Sequence, residues 1–198
     1  MSTDGVNVER RRLLIGATAA VGAVGVAGAA VPFVKSWNPS AKAKAAGAPV
    51  TADISQLEMG QQAVFEWRGK PVWVVRRTPE MLAGLKKVED DLLDPNSDEV
   101  DQQPAYAKNE WRSIKPEYAV LTGICTHLGC SPLFRPEVAP ADLGSSWVGG
   151  FFCPCHGSRY DLAGRVYKGV PAPLNLVVPP HKYESDKVLV IGVDQGAA

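Results

Sequence analysis

Every cysteine of the chain and two of its three histidines fall in two short stretches, Cys125-Thr126-His127-Leu128-Gly129-Cys130 and Cys153-Pro154-Cys155-His156-Gly157-Ser158. They read C-x-H-x-x-C and C-x-C-H-G-S. Each stretch offers one cysteine and one histidine as metal ligands and leaves one cysteine over. Thiolates are soft ligands suited to zinc and to iron–sulfur clusters, and neutral imidazoles bind metal without adding negative charge. Structural zinc also takes two Cys and two His, but usually with the cysteines grouped in one pair and the histidines in another. Here Cys and His alternate and two further cysteines interleave, which favours an iron–sulfur centre over zinc. Four cysteines in two ordinary disulfides would leave the paired histidines without a role.

At these residues the chain resembles the Rieske iron–sulfur proteins, specifically those of quinol:cytochrome c oxidoreductase (cytochrome bc) complexes. Rieske centres hold a [2Fe–2S] cluster with two Cys on one iron and two His on the other. The resemblance implies Cys125 and Cys153 on the inner iron, His127 and His156 on the outer iron, and a disulfide between Cys130 and Cys155. It places the Ser158 hydroxyl on a bridging sulfide, the Tyr160 hydroxyl on a cysteine sulfur, and a quinol against His156. The turn formers Gly129, Pro154 and Gly157 suit tight loops around such a cluster. The family's third loop reads G-P-A-P. Here it is Gly169-Val170-Pro171-Ala172-Pro173, longer by Val170.

The resemblance covers nearly the whole chain. It implies a subunit of quinol–cytochrome-c reductase that takes an electron from ubiquinol and passes it to a c-type cytochrome. The implied partners are the cytochrome b and c-type cytochrome subunits of one dimeric complex. An alternative is the Rieske subunit of another exported oxidoreductase, such as arsenite oxidase. The Rieske components of ring-hydroxylating systems fit less well, because they are cytoplasmic, lack an anchor and normally lack the Cys130/Cys155 pair.

Charge separates the 198 residues into two parts. Residues 1–50 carry six Lys/Arg and two Asp/Glu, a balance of +4, and the remainder carries fifteen and nineteen, a balance of −4. An acidic domain without a basic stripe argues against nucleic acid as a partner. Residues 13–34 are uncharged and rich in Ala, Val and Gly. As a helix this run is about 33 Å long at about 1.5 Å per residue, enough to cross a bilayer core. Arg10-Arg11-Arg12 precedes it, which keeps residues 1–12 in the cytoplasm and sends the rest outward. The same arginines look like a twin-arginine export signal. That route moves folded protein, as a cluster assembled in the cytoplasm requires. A cleaved signal is the rival reading, disfavoured by the length of the apolar run and the lack of a small-x-small site. The expectation is a single-pass anchor in the bacterial inner membrane with the cluster domain in the periplasm.

Residues 35–50 (Ser36–Pro49 at their core) are small and polar and read as a hinge, either coil or a frayed Ala/Lys helix. The expected globular part, 51–198, is mainly β. Two strands, Ala63–Trp67 and Val72–Arg76, flank a turn, and a helix runs from Pro79 toward Leu93. Residues 94–108 read as a surface loop. Strands over 117–121 and 147–152 enter the two cysteine-bearing loops, an insertion covers 135–146, and 160–166 form a hairpin. Strands over 174–178 and 188–193 return to the base. His181, outside both loops, reads as a surface or edge residue. The expected architecture is a Rieske-type antiparallel β-sandwich base with an inserted cluster-binding β-subdomain (about 119–175), one side helix and an N-terminal transmembrane helix.

Overall fold

The computed structural model describes residue 5 and residues 7–194. It divides into two units, residues 1–45 and 46–198. The first is built on helix α1 (Val8–Ser36), capped by the Asn7 side chain, which accepts from the Arg10 N–H at 3.0 Å. The helix extends the apolar 13–34 run by about one turn at its N-terminal side. It buries no residue within the protein, the state of an apolar helix whose partner is lipid or another chain. A short helix, α2 (Ala41–Ala46), follows in the Ala/Lys-rich segment.

The second unit holds three antiparallel sheets of three strands each. Strands β1 (Val50–Asp53), β2 (Gln62–Trp67), β3 (Lys70–Arg76) and β4 (Tyr118–Thr122) come first in the chain. Then follow β5 (Leu133–Arg135), β6 (Gly150–Phe152), β7 (Arg159–Tyr160), β8 (His181–Ser185) and β9 (Val188–Ile191). The sheets are ordered β1-β9-β8, β2-β3-β4 and β5-β6-β7. The middle sheet explains the sequence best. Val72, Val74, Tyr118 and Val120 face one core with Leu189 and Ile191, whereas Trp73, Val75, Ala119 and Leu121 face another with Phe151 and Tyr160. Successive side chains of a strand point to opposite faces, so β3 and β4 need an unbroken apolar run to serve both cores. The β2–β3 turn is Arg68-Gly69, at φ 54° and 69°, the two-residue pairing that matches strand twist in a hairpin.

Helix α3 (Pro79–Lys87) starts where expected, with Thr78 accepting from the Met81 N–H and Pro79 at the first position. It stops earlier than the apolar spacing suggests. Glu89, Asp90 and Asp91 would load negative charge on the negative end of the helix dipole, and they form a separate 3-10 turn instead. Val88 and Leu92 are buried all the same.

Three other expectations are corrected. Residues 94–108 are not a surface loop: Ser97, Gln102, Gln103 and Ala107 are buried, and two 3-10 turns, Val100–Gln102 and Ala105–Ala107, organise the segment. Gln103 is held inside by its own hydrogen bonds, Nε2 to Ser97 O at 3.0 Å and to Glu99 O at 2.7 Å, and the segment bears no apolar period. Residues 174–178 form no strand. Leu176 and Val178 are buried, but their N–H groups go to the isolated carbonyls of Gly164 and Gln102. His181 lies on the edge strand β8 yet is buried, with Nδ1 2.8 Å from Pro179 O. The Tyr106 hydroxyl accepts from its N–H at 2.8 Å and donates to its C=O at 3.0 Å. Burial lowers its pKa below the usual histidine value, so it is neutral and structural.

Candidate metal centre

Strand β4 delivers the first cysteine-bearing loop and β6 the second. The two loops are closed by the same pair of backbone bonds. In the first, Cys125 N–H donates to Cys130 O (2.7 Å) and Gly129 N–H to Cys125 O (3.0 Å). In the second, Cys153 N–H donates to Ser158 O (2.8 Å) and Gly157 N–H to Cys153 O (2.9 Å). Gly129 and Gly157 sit at φ 85° and 77°, a left-handed conformation that side-chain-bearing residues resist.

A Trp73–Phe151 stack, with centroids 5.0 Å apart, lies beneath both loops. Phe151 is two residues before Cys153. Gly123 is two residues before Cys125, and a Cβ there would run into the Trp73 indole. Cys125 and Cys153 are each 2% exposed, whereas His127 is half-buried and His156 exposed. The imidazole rings meet edge to face with centroids 4.8 Å apart. Cys130 and Cys155 form a disulfide. Their sulfurs lie within 4.8 Å of Cys153 Sγ, but both are consumed by the bridge. Two buried sulfurs, one half-buried imidazole and one exposed imidazole remain, a donor set that fits a Rieske [2Fe–2S] cluster.

Polar groups converge on the sulfurs. The Tyr160 hydroxyl accepts from Thr126 N–H at 3.1 Å and lies 3.2 Å from Cys125 Sγ. Thr126 Oγ1 donates to Leu174 O at 2.7 Å, fastening the Pro-rich loop to the first cysteine loop. Ser158 is fully buried, and its Oγ accepts from Ala172 N–H at 3.1 Å. Its own proton therefore remains free to donate. Burial pushes the Cys125 thiol up, but hydrogen bonds from Tyr160, the His127 backbone, Cys153 and Ser158 outweigh it and hold the group below its ordinary value. For Cys153 burial prevails and, with the neighbouring Cys125, raises it. Burial and Cys125 also push the Tyr160 phenol well above its usual range, so it is a standing donor. Val170 packs half-buried against this core, and the longer loop still delivers Ala172 to Ser158. Thr126 and Ala172 are participants that sequence reasoning missed. They act through a bond to a tyrosine and a backbone N–H, and the spacing of ligand types signals neither.

Comparison with known proteins separates the remaining readings. Residues 93–180 match the family described as "Rieske [2Fe-2S] domain". Residues 1–40 match "Ubiquitinol-cytochrome C reductase Fe-S subunit TAT signal". The chain is 64% identical to the ubiquinol-cytochrome c reductase iron-sulfur subunit of Allochromatium vinosum, over 100% of its own length and 95% of the relative's. It belongs to that family of iron–sulfur subunits. A second Rieske subunit of the same description, from Rhodospirillum rubrum, is 43% identical over 96% of each chain. A solved structure titled "Hyperthermophilic respiratory Complex III" aligns at 30% identity and TM-score 0.47, covering 87% of this chain and 96% of that one. By its identity to these sequence relatives and its Rieske domain, the protein is a Rieske electron-transfer subunit of a cytochrome bc complex. It carries a [2Fe–2S] cluster and an export signal, and its N-terminal helix is long and apolar enough to cross a membrane. Zinc and the other exported oxidoreductases fall away.

Proposed function

We propose that Cys125 and Cys153 hold the inner iron and His127 and His156 the outer iron, and that ubiquinol delivers its electron at His156. The observation that carries this is the burial gradient: both free sulfurs lie inside the fold, His127 is half-buried, and His156 and Leu128 are exposed. When bound, the cluster accepts and releases one electron at a time. The protein's own residues do the rest. His156 presents the ring nitrogen not used on iron to a quinol hydroxyl and takes up its proton there. Leu128 and Pro154 give that nitrogen an apolar rim, which sheds water when a quinol docks. Tyr160 and Ser158 aim hydroxyls at the sulfur side. Such bonds strengthen as negative charge builds on a centre, so they favour its reduced form and raise its potential.

Delivery to a c-type cytochrome and proton release outside the membrane complete the cycle. The N-terminus lies in the cytoplasm, the helix spans the bacterial inner membrane, and the domain works on the periplasmic side of a dimeric complex. Residues 36–49, with little apolar surface to bury, act as the hinge. Introducing prolines across this segment in the purified complex is expected to leave the cluster's EPR spectrum intact and slow ubiquinol-driven cytochrome c reduction by tenfold or more. Unchanged turnover in the stiffened variant would overturn the hinge role. A wild-type cluster that ubiquinol fails to reduce would overturn the assigned electron donor.

A further inference from the structure

The turn Asp161–Arg165 directly follows Tyr160, and two buried guanidiniums from elsewhere, Arg77 and Arg112, bond to it while a third, Arg165, lies within it. Arg112 is 0% exposed, and its Nη1 donates to Ala163 O at 3.1 Å and Gly164 O at 3.3 Å. Its Nη2 donates to Gln103 Oε1 at 3.0 Å. Arg77 Nη1 reaches Leu162 O at 3.2 Å and Trp111 O at 2.9 Å. Arg165 Nε pairs with Asp161 Oδ2 at 2.7 Å. Asp161 is the one buried carboxylate among the described residues, so three cations share one anion.

Taking a guanidinium out of water is costly unless its donors are satisfied, and Arg112 Nε has no partner. Desolvation lowers Arg77 and Arg112 to about 10, which still leaves both charged at neutral pH. Local rules broken at such cost tend to mark functional places.

The far side of the turn has no slack. Gly164 sits at φ 76°, and a Cβ there would lie 2.9 Å from Leu121 Cδ2 and 3.2 Å from Arg112 Nη1. Leu121 is on β4, four residues before Cys125. The turn is therefore wedged between a guanidinium and the strand that carries the first cysteine loop. Any shift passes directly to Tyr160, whose hydroxyl is 3.2 Å from Cys125 Sγ, a contact that weakens quickly with distance and angle.

We propose that Arg112, with Arg77 behind it, is a positioning residue of the redox centre: by pinning the carbonyls of residues 162–164 it sets how closely the Tyr160 hydroxyl approaches Cys125 Sγ. This rests on the reading of Cys125 as a cluster ligand. Lysine keeps the charge but cannot hold two carbonyls on one side and Gln103 on the other.

EPR-monitored redox titration of the holoprotein tests the proposal in a double-mutant cycle. Tyr160→Phe is expected to lower the reduced-to-oxidised ratio at fixed potential about tenfold, which is about 59 mV. Arg112→Lys is expected to lower it about threefold in the wild-type background and not at all on top of Tyr160→Phe. An unchanged potential in Arg112→Lys, with or without lower thermal stability, would mean a merely structural role and overturn the inference. So would an equal shift in both backgrounds, which would mean action by charge and not through Tyr160. Should Arg112→Lys yield no holoprotein, Arg77→Lys goes through the same cycle under the same criteria. A silent Tyr160→Phe sinks this inference, whereas a cluster retained in Cys125→Ser sinks the reading of Cys125 on which it rests. A silent arginine variant beside a lowered Tyr160→Phe sinks this inference alone.

Discussion

The two cysteine-bearing loops share a backbone and differ in what they hang on it. Each is closed by an N–H from its first cysteine to the sixth residue and an N–H from its fifth residue, a left-handed glycine, back to that cysteine. The first loop carries histidine third, leucine fourth and cysteine sixth. The second carries cysteine third, histidine fourth and serine sixth. That reordering puts one imidazole half inside and one outside, 4.8 Å apart. It also turns the sixth position from a disulfide partner, Cys130, into an internal hydroxyl, Ser158. A generic turn supplies the frame, and side-chain order supplies the polarity of the centre.

The comparison breaks first at the shared position. Cys125→Ser and Cys153→Ser are each expected to abolish the cluster spectrum, because a serine oxygen in a buried, softly ligated site is a poor match for iron–sulfur chemistry. Iron and sulfide assays on the purified variants check this, and retained cluster in either one would break the equivalence of the loops. The next effect comes from the bridge that joins them. Cys130 and Cys155 are 25 residues apart, and a loop of that length contributes about 3.5 kcal/mol in chain-entropy terms. Replacing both with serine is expected to cost about that much in chemical denaturation and to lower cluster content. Full wild-type stability would show that the backbone bonds alone hold the loops.

The smallest effect sharpens the likeness. Nothing lies within 4 Å of a Cβ placed on Gly129 or Gly157, so alanine there meets only the conformational penalty, about 1–2 kcal/mol. Equal losses of unfolding free energy in Gly129→Ala and Gly157→Ala are expected. A difference larger than about 1 kcal/mol would mean that one loop relaxes and the other cannot.

What could be read from the sequence was whatever repeats or pairs. Apolar runs marked β3 and β4, Pro79 marked the start of α3, and the two loops displayed their ligand types openly. Burial without a period was hidden. Gln102, Gln103 and Arg112 have the composition of a surface loop, yet they are buried: Gln103 bonds Ser97 O, Glu99 O and Arg112, and Arg112 reaches the Ala163 and Gly164 carbonyls far along the chain. His181 was hidden for the same reason, its backbone clasped by Tyr106 from 75 residues away. Leu176 and Val178 showed the reverse: their burial was legible, but their hydrogen bonds go to scattered carbonyls and not to a ladder. The disulfide was legible by resemblance alone, since four cysteines allow three pairings.

The burial gradient across the two loops has a consequence for timing. In the proposed arrangement the sulfur side is buried and the exposed imidazole side is where charge enters and leaves. A centre with one port cannot conduct from front to back like a wire. Its donor and its acceptor must queue at the same face, so occupancy by one delays the other. The rate of the whole relay is then tied to how quickly that face is vacated and presented again.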